Sequence, residues 1–154
     1  MPRYYLAGPM SNIPQFNFPK FAAVADLLRD RGMLIVSPAE LDEPADFDVS
    51  IASPDGDPEA HKRATGKSWA DILARDVRIV SDQVDGIIFL EDWWRSRGAK
   101  LEAFVGLLQP KFEFYRYDDA TKLVVPLSRE EVAYRVFEGI TGQSWAEVYR
   151  RQTP

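Results

Sequence analysis

The sequence predicts an α/β fold, a parallel sheet with helices on both faces, in one domain. Three observations predict it. Short apolar runs of strand length alternate with segments whose apolar residues recur at helical spacing. Glycines, prolines and capping residues stand at the junctions. The 154 residues carry one composition throughout, enough for a single core without disulfides or metals.

Taken in order, Tyr4-Tyr5-Leu6-Ala7 reads as a buried strand ended by Gly8-Pro9. Phe21, Val24, Ala25 and Leu28 follow at one face of a helix, stopped by Gly32 in the position a helix C-cap prefers. Met33 to Val36 is a second strand, closed by Ser37-Pro38. Residues 43–67 hold prolines, glycines and aspartates without periodicity, and read as a long loop or lid. Ser68 is the N-cap of a helix whose buried stripe is Trp69, Ile72, Leu73 and Val80. Val84 to Leu90 is a third strand, and the loop Glu91 to Arg97 leads to a helix with Leu101, Phe104, Val105 and Leu108 inward. Phe112 to Tyr115 and Leu123 to Val125 are further strands. Ser128-Arg-Glu-Glu131 is a capping box, opening a helix faced by Val132, Val136, Phe137 and Ile140. Residues 120–154 thus form a strand–helix extension of the same domain.

Composition removes whole classes of function. Charged residues are 28% and hydrophobic ones 45%, as in soluble proteins, and runs such as Ile87-Ile-Phe-Leu90 are far short of a membrane span. No charged-then-apolar leader is visible at the N-terminus, so a cytoplasmic protein is expected. There is no cysteine, which excludes disulfides, thiolate metal sites and cysteine nucleophiles. One histidine, His61, makes a multi-histidine metal site or a serine–histidine–aspartate triad a poor fit. Its place among Asp55, Asp57 and Glu59 reads as a solvated polar loop, and no metal is expected. A net charge of −5 argues against gripping a nucleic-acid polymer. Gly66-Lys-Ser-Trp-Ala-Asp-Ile recurs as Gly142-Gln-Ser-Trp-Ala-Glu-Val, read as one capped helix start with a buried tryptophan used twice. The second copy has Gln152 where the first has Asp76.

In a parallel sheet, ligands bind outside the carboxyl ends of the strands. Three loops meet that condition: Gly8 to Phe18, Ser37 to Asp42, and Glu91 to Gly98. At 100° per residue Asp76 falls inside the apolar stripe of its helix, while Asp71, Arg75, Arg78 and Asp82 lie opposite. A carboxylate there costs free energy unless it is paired or functional. Ser96 to Glu102 runs from a strand end into a helix, whose first amides attract anions. Ser96 and Gly98 would let a phosphate approach, with Arg97 or Lys100 adding charge. Asp76 and Glu102 would face one crevice, the minimum kit for retaining cleavage of a glycosidic bond. Phe16, Phe18, Trp93 and Trp94 flank it, and a flat base would stack on one of them.

Six stretches together carry a resemblance: Tyr5-Leu-Ala-Gly-Pro-Met10, Phe16-Asn-Phe-Pro-Lys-Phe21, Ser37-Pro-Ala-Glu-Leu-Asp42, Trp69-Ala-Asp-Ile-Leu-Ala-Arg-Asp76, Asp85-Gly-Ile-Ile and Trp94-Arg-Ser-Arg-Gly-Ala-Lys-Leu-Glu102. The chain resembles the nucleoside 2-deoxyribosyltransferase-like superfamily over residues 3–110, and within it the small, often phage- or prophage-encoded branch described as a domain of unknown function. The resemblance implies a flavodoxin-like (Rossmann-like) sheet of five parallel strands. It implies Glu102 as nucleophile on C1′ and Asp76 as its positioner or as the acid for the departing base. Tyr5, Gly8, Met10 and Asn17 would then line the sugar and base site. Relatives acting on free nucleosides tend to be acidic at the position of Ser96, whereas those hydrolysing nucleoside 5′-monophosphates carry serine and glycine, as here. Loop 43–67 and the tail do not map onto the transferase pattern.

The expected function is cleavage of the N-glycosidic bond of a (deoxy)nucleoside 5′-monophosphate through a glycosyl–glutamyl intermediate, resolved by water or another base, without a cofactor. The alternatives are a non-catalytic nucleotide-binding module or an NAD-like dinucleotide glycohydrolase. By resemblance the chain is a homodimer or larger homo-oligomer.

Overall fold

The computed structural model describes residues 1–152, apart from the side chains of Trp145, Val148, Tyr149 and Gln152. The burial expected for Trp145 and the comparison of Gln152 with Asp76 lie outside the described residues. The elements run β1 (Arg3–Ala7), α1 (Phe18–Asp30), β2 (Leu34–Val36), α2 (Pro44–Ile51), α3 (Pro58–Thr65), α4 (Trp69–Asp82), β3 (Gly86–Phe89), α5 (Arg97–Leu107), β4 (Glu113–Tyr117), β5 (Val124–Pro126), α6 (Arg129–Thr141) and α7 (Trp145–Gln152).

The sheet has five strands in the order β2-β1-β3-β4-β5. β1 pairs in parallel with both β2 and β3, aligning Tyr5 with Val36 on one side and Ile87 on the other. β3 and β4 are parallel as well. The fifth strand departs from the all-parallel expectation: β5 runs antiparallel to β4, with Tyr115 opposite Pro126. The reason is the connection. A parallel return needs a crossover of a dozen or more residues, whereas residues 118–123 make a tight turn in which Asp118 N–H donates to Leu123 O at 2.9 Å.

Alternation along the strands divides the core in two. Tyr5, Ala7, Ile87 and Phe89 face Ile79 and Val80 of α4, Ala99 and Ala103 of α5, and Val132 and Val136 of α6. Leu6, Ile88 and Leu90 face Phe18, Phe21, Val24, Ala25 and Leu28 of α1. Helices therefore cover both faces. The inward face of α5 differs from expectation: Ala99, Glu102, Ala103 and Gly106 are buried, while Leu101, Phe104 and Leu108 are exposed. Small residues let α5 press against the sheet. A Cβ on Gly106 would stand 2.7 Å from Phe112 Cε1. On α6, Val132 and Val136 turn inward as expected, but Ile140 is 75% exposed.

Residues 43–67 are not a long structureless loop. They fold into α2 and α3, each opened by a proline in its first turn, where the missing N–H costs nothing. Asp57 caps α3 by accepting from Glu59 N–H at 3.0 Å. Helices of eight residues are too short to print a readable period. Among the described residues no helix is long and apolar enough to cross a membrane.

Candidate active site

A cleft of about 560 Å³ opens at the carboxyl ends of β1, β2 and β3. Gly8 and Met10 after β1, Pro38 and Asp42 after β2, and Arg95 to Ala99 after β3 line it. These are the three loops that the strand–helix order singles out. Gly8 is there for space: a Cβ on it would meet Leu90 Cβ at 2.9 Å, where the end of β1 passes its neighbour.

α4 supplies one wall. Ser68 starts it through a reciprocal cap, Ser68 N–H donating to Asp71 Oδ2 at 2.8 Å and Asp71 N–H to Ser68 Oγ at 3.2 Å. Its stripe serves two environments. Ile79 and Val80 enter the core, but Trp69, Ile72 and Leu73, two turns earlier, face the cleft. Trp69 is 39% exposed rather than buried, because the sheet no longer lies beneath it. The Arg97 guanidinium stands 4.8 Å from its ring centroid, a cation–π contact.

Asp76 sits where the stripe changes from core to cleft, and it is buried. Arg75 does not stay on the opposite face, as the helical wheel implies. Its long side chain bends back, Nε donating to Asp76 Oδ1 at 2.9 Å and Nη1 to Asp42 Oδ1 at 2.7 Å. Burial raises the Asp76 pKa, and the Arg75 charge and hydrogen bond work against that rise.

Glu102 is the second carboxylate, in the second turn of α5 and 6% exposed. Its Oε2 has no hydrogen-bond partner among the described residues. Burial, then the negative charge of Asp76, push its pKa well above the ordinary value; Tyr5 and Arg75 oppose this. Tyr5 reaches the pair from β1 beneath, its hydroxyl fully buried and also unpartnered. Burial and both carboxylates raise the phenol's pKa in turn. Uncompensated buried polar atoms are rare and call for an explanation.

The start of α5 forms a donor-rich end of the cleft. Arg95, Ser96, Arg97 and Gly98 line it. Ser96 is the N-cap, its Oγ accepting from Ala99 N–H at 3.2 Å, so its own hydrogen is free to donate. Gly98 borders Glu102: a Cβ there would lie 4.0 Å from Glu102 Oε1.

Another part of the cleft, its roof, is lined by α2 and α3. His61 is buried there, not solvated: its Nε2 lies 3.0 Å from Ser50 Oγ and its ring 5.2 Å from that of Phe16. Ser50, Pro58, Glu59, His61 and Lys67 all line the cleft. The turn before α1 is bound to this roof, with Asn12 N–H donating to Gly56 O and Gln15 N–H to Ser53 O, each at 2.8 Å. Gln15, Phe16 and Asn17 all have positive φ, a conformation that persists only where its surroundings hold it.

Of the residues singled out from sequence, Gly8, Met10, Phe18, Asp76, Ser96, Gly98 and Glu102 line one cleft, with Tyr5 directly behind the carboxylates. Asn17 does not line it; its Nδ2 donates to Pro9 O at 2.9 Å and shapes the turn. Trp93 lies in the core, its ring stacked 4.0 Å from Phe89. Trp94 packs at 6.4 Å against Trp93, with the Arg135 guanidinium over its ring at 4.1 Å. Sequence reasoning missed Arg75, Ser50 and His61 as cleft residues and Asp42 as a partner of Arg75. Asp42 alone left a signal, at the end of a strand-end loop. Among the described residues no three histidine, aspartate or glutamate side chains stand together as a metal cluster.

A family model described as a domain of unknown function (DUF4406) matches residues 2–54. That stretch carries β1, α1, β2 and α2, and supplies Gly8, Met10, Phe16, Phe18, Asp42 and Ser50 to the cleft, but neither Asp76 nor Glu102. No curated protein and no solved structure matches the chain.

Proposed function

We propose that the protein cleaves the N-glycosidic bond of a (deoxy)nucleoside 5′-monophosphate with retention, in a flavodoxin-like fold. The observation that carries this reading is Glu102: a carboxylate held without a hydrogen-bond partner on Oε2, beside a second carboxylate, in a cleft large enough for a nucleotide. Nothing in the packing gains from such a group. The strand order β2-β1-β3-β4-β5 supports the flavodoxin-like reading, and antiparallel β5 is its departure.

The chemistry needs one proton on the carboxylate pair. Glu102 in its ionised form bonds to C1′ as the C1′–N bond breaks. The electron pair of that bond leaves with the base, which takes the proton from Asp76. Water or a second base then attacks C1′, Glu102 leaves as carboxylate, and Asp76 takes up the proton released. Phosphate suits the end formed by Ser96, Gly98, Arg95 and Arg97, where the first amides of α5 and two cations line the cleft. A homo-oligomer is part of the proposal, and Leu101, Phe104 and Leu108 on the outer face of α5 are a surface for it. So is a cytoplasmic location.

The test is a chromatographic screen of purified protein against the common nucleoside and deoxynucleoside 5′-monophosphates, with and without added free base. Release of base from one of them, absent in Glu102→Ala, supports the reading. Exchange only with added base makes the protein a transferase. Nicotinamide released from a dinucleotide would replace the substrate. Turnover retained in Glu102→Ala removes Glu102 as nucleophile.

A further inference from the structure

We propose that Ser50 determines base specificity: His61 holds its hydroxyl as an acceptor, so the cleft favours bases carrying an exocyclic amino group. This rests on the nucleotide reading above.

The argument follows the hydrogens. Thr65 has one hydroxyl hydrogen, and Oγ1 lies 2.9 Å from the carbonyl oxygen of His61, an acceptor only, so the hydrogen goes there. Thr65 Oγ1 also accepts from Lys67 N–H at 3.2 Å. Toward His61 Nδ1, at 3.4 Å, it therefore offers a lone pair, and Nδ1 is the ring nitrogen that carries the hydrogen. A neutral imidazole has one N–H, which leaves Nε2 as an acceptor. Nε2 lies 3.0 Å from Ser50 Oγ, so the serine hydroxyl donates to it. Ser50 has no second hydrogen, and its lone pairs are all that remain for a molecule in the cleft. Ser50 is buried but lines the cleft, and the Phe16 ring stands edge-on to that of His61.

The surroundings favour the same polarity. Ser50 lines the cleft together with the Glu59 carboxylate, while the Lys67 cation is held by Asp46 and the Asp42 carboxylate is paired with Arg75. Donors gather around Arg95, Arg97 and the start of α5. A nucleotide with its phosphate at α5 and C1′ at Glu102 extends its base toward the roof. An edge rich in N–H meets acceptors there. A carbonyl at the same position meets lone pair against lone pair.

Two measurements test this. His61 is the only histidine in the chain, so its ring signals in a long-range proton–nitrogen correlation spectrum assign themselves. The Nδ1–H tautomer is expected, shifting toward Nε2–H in Thr65→Val. A dominant Nε2–H form in the wild type overturns the proposal. The second is calorimetry with the inert Glu102→Gln protein, comparing deoxyadenosine with deoxyinosine monophosphate and deoxycytidine with deoxyuridine monophosphate. The amino member of at least one pair should bind about tenfold tighter, and adding Ser50→Ala should bring the two within about twofold. Binding without an amino preference, or a preference that survives Ser50→Ala, overturns the proposal alone. Failure of all four nucleotides to bind overturns the nucleotide reading and this proposal with it.

Discussion

Arg75 Nε donates to Asp76 Oδ1 at 2.9 Å, so one carboxylate of the cleft is paired with a cation while its companion, Glu102, keeps an oxygen unpartnered. The asymmetry makes Glu102 the harder of the two to ionise, so the proposed reaction requires the shared proton to pass from Glu102 to Asp76, the acid for the departing base, before C1′ is attacked. Glu102 holds that proton more firmly, because burial raises its pKa without a hydrogen-bonded cation to oppose the rise.

The pH profile of turnover should therefore be bell-shaped, with both limbs belonging to the pair. Activity needs one proton on two carboxylates. The alkaline limb should lie above the ordinary carboxylate range, because burial and Asp76 raise Glu102. Arg75 lowers both groups, so Arg75→Gln should move both limbs to higher pH. Limbs that stay in place in that variant would disconnect Arg75 from the proton.

The same carboxyl makes stability depend on pH. The folded chain holds the Glu102 proton more tightly than the unfolded chain, whose ordinary value is 4.5. That contribution is fully present below 4.5 and is lost as pH rises through the folded value. In Glu102→Gln the loss should vanish, leaving the variant about 1–2 kcal/mol more stable than wild type above neutrality. Parallel melting-temperature curves for the two proteins across pH 4–9 would contradict this.

Ser96→Asp should separate phosphate from nucleoside recognition. Aspartate caps a helix as well as serine does, so the fold should hold. A negative charge at the start of α5 should weaken monophosphates about tenfold or more while changing free nucleosides little. Equal losses for both in a binding titration would remove the phosphate from this end.

Gly56 and Gly142 share a φ of +67° and should respond differently to alanine. At Gly142 an added Cβ meets nothing within 4 Å, and the cost should be about 1 kcal/mol from backbone conformation alone. At Gly56 the Cβ would stand 2.1 Å from the Ile13 carbonyl oxygen, in the joint between the turn before α1 and the roof. Its cost should exceed about 2 kcal/mol. Denaturant midpoints of the two variants, if equal, would show that this joint yields without cost.

How much of this was legible in the sequence follows from what periodicity encodes. The alternation of β1, α1, β2, α4, β3 and α5 is written in local spacing, as is the Ser68 cap. The same spacing set Asp76 apart and, with the rule for parallel sheets, pointed to the ends of β1, β2 and β3. Periodicity names an apolar face but not the neighbour that the face meets. On α4 one stripe serves both core and cleft, and Trp69 fell on the cleft side. On α5 Leu101, Phe104 and Leu108 turned outward, and Gly106 holds the place where a Cβ would meet Phe112 and Phe114. The tertiary structure alone decided those partners. It alone decided the antiparallel β5, the helical roof of residues 43–67, the pairing of Arg75 with Asp76, and the presence of Ser50 and His61 in the same cleft. Each of these depends on contacts between segments far apart in the chain, and local pattern carries no record of such distances.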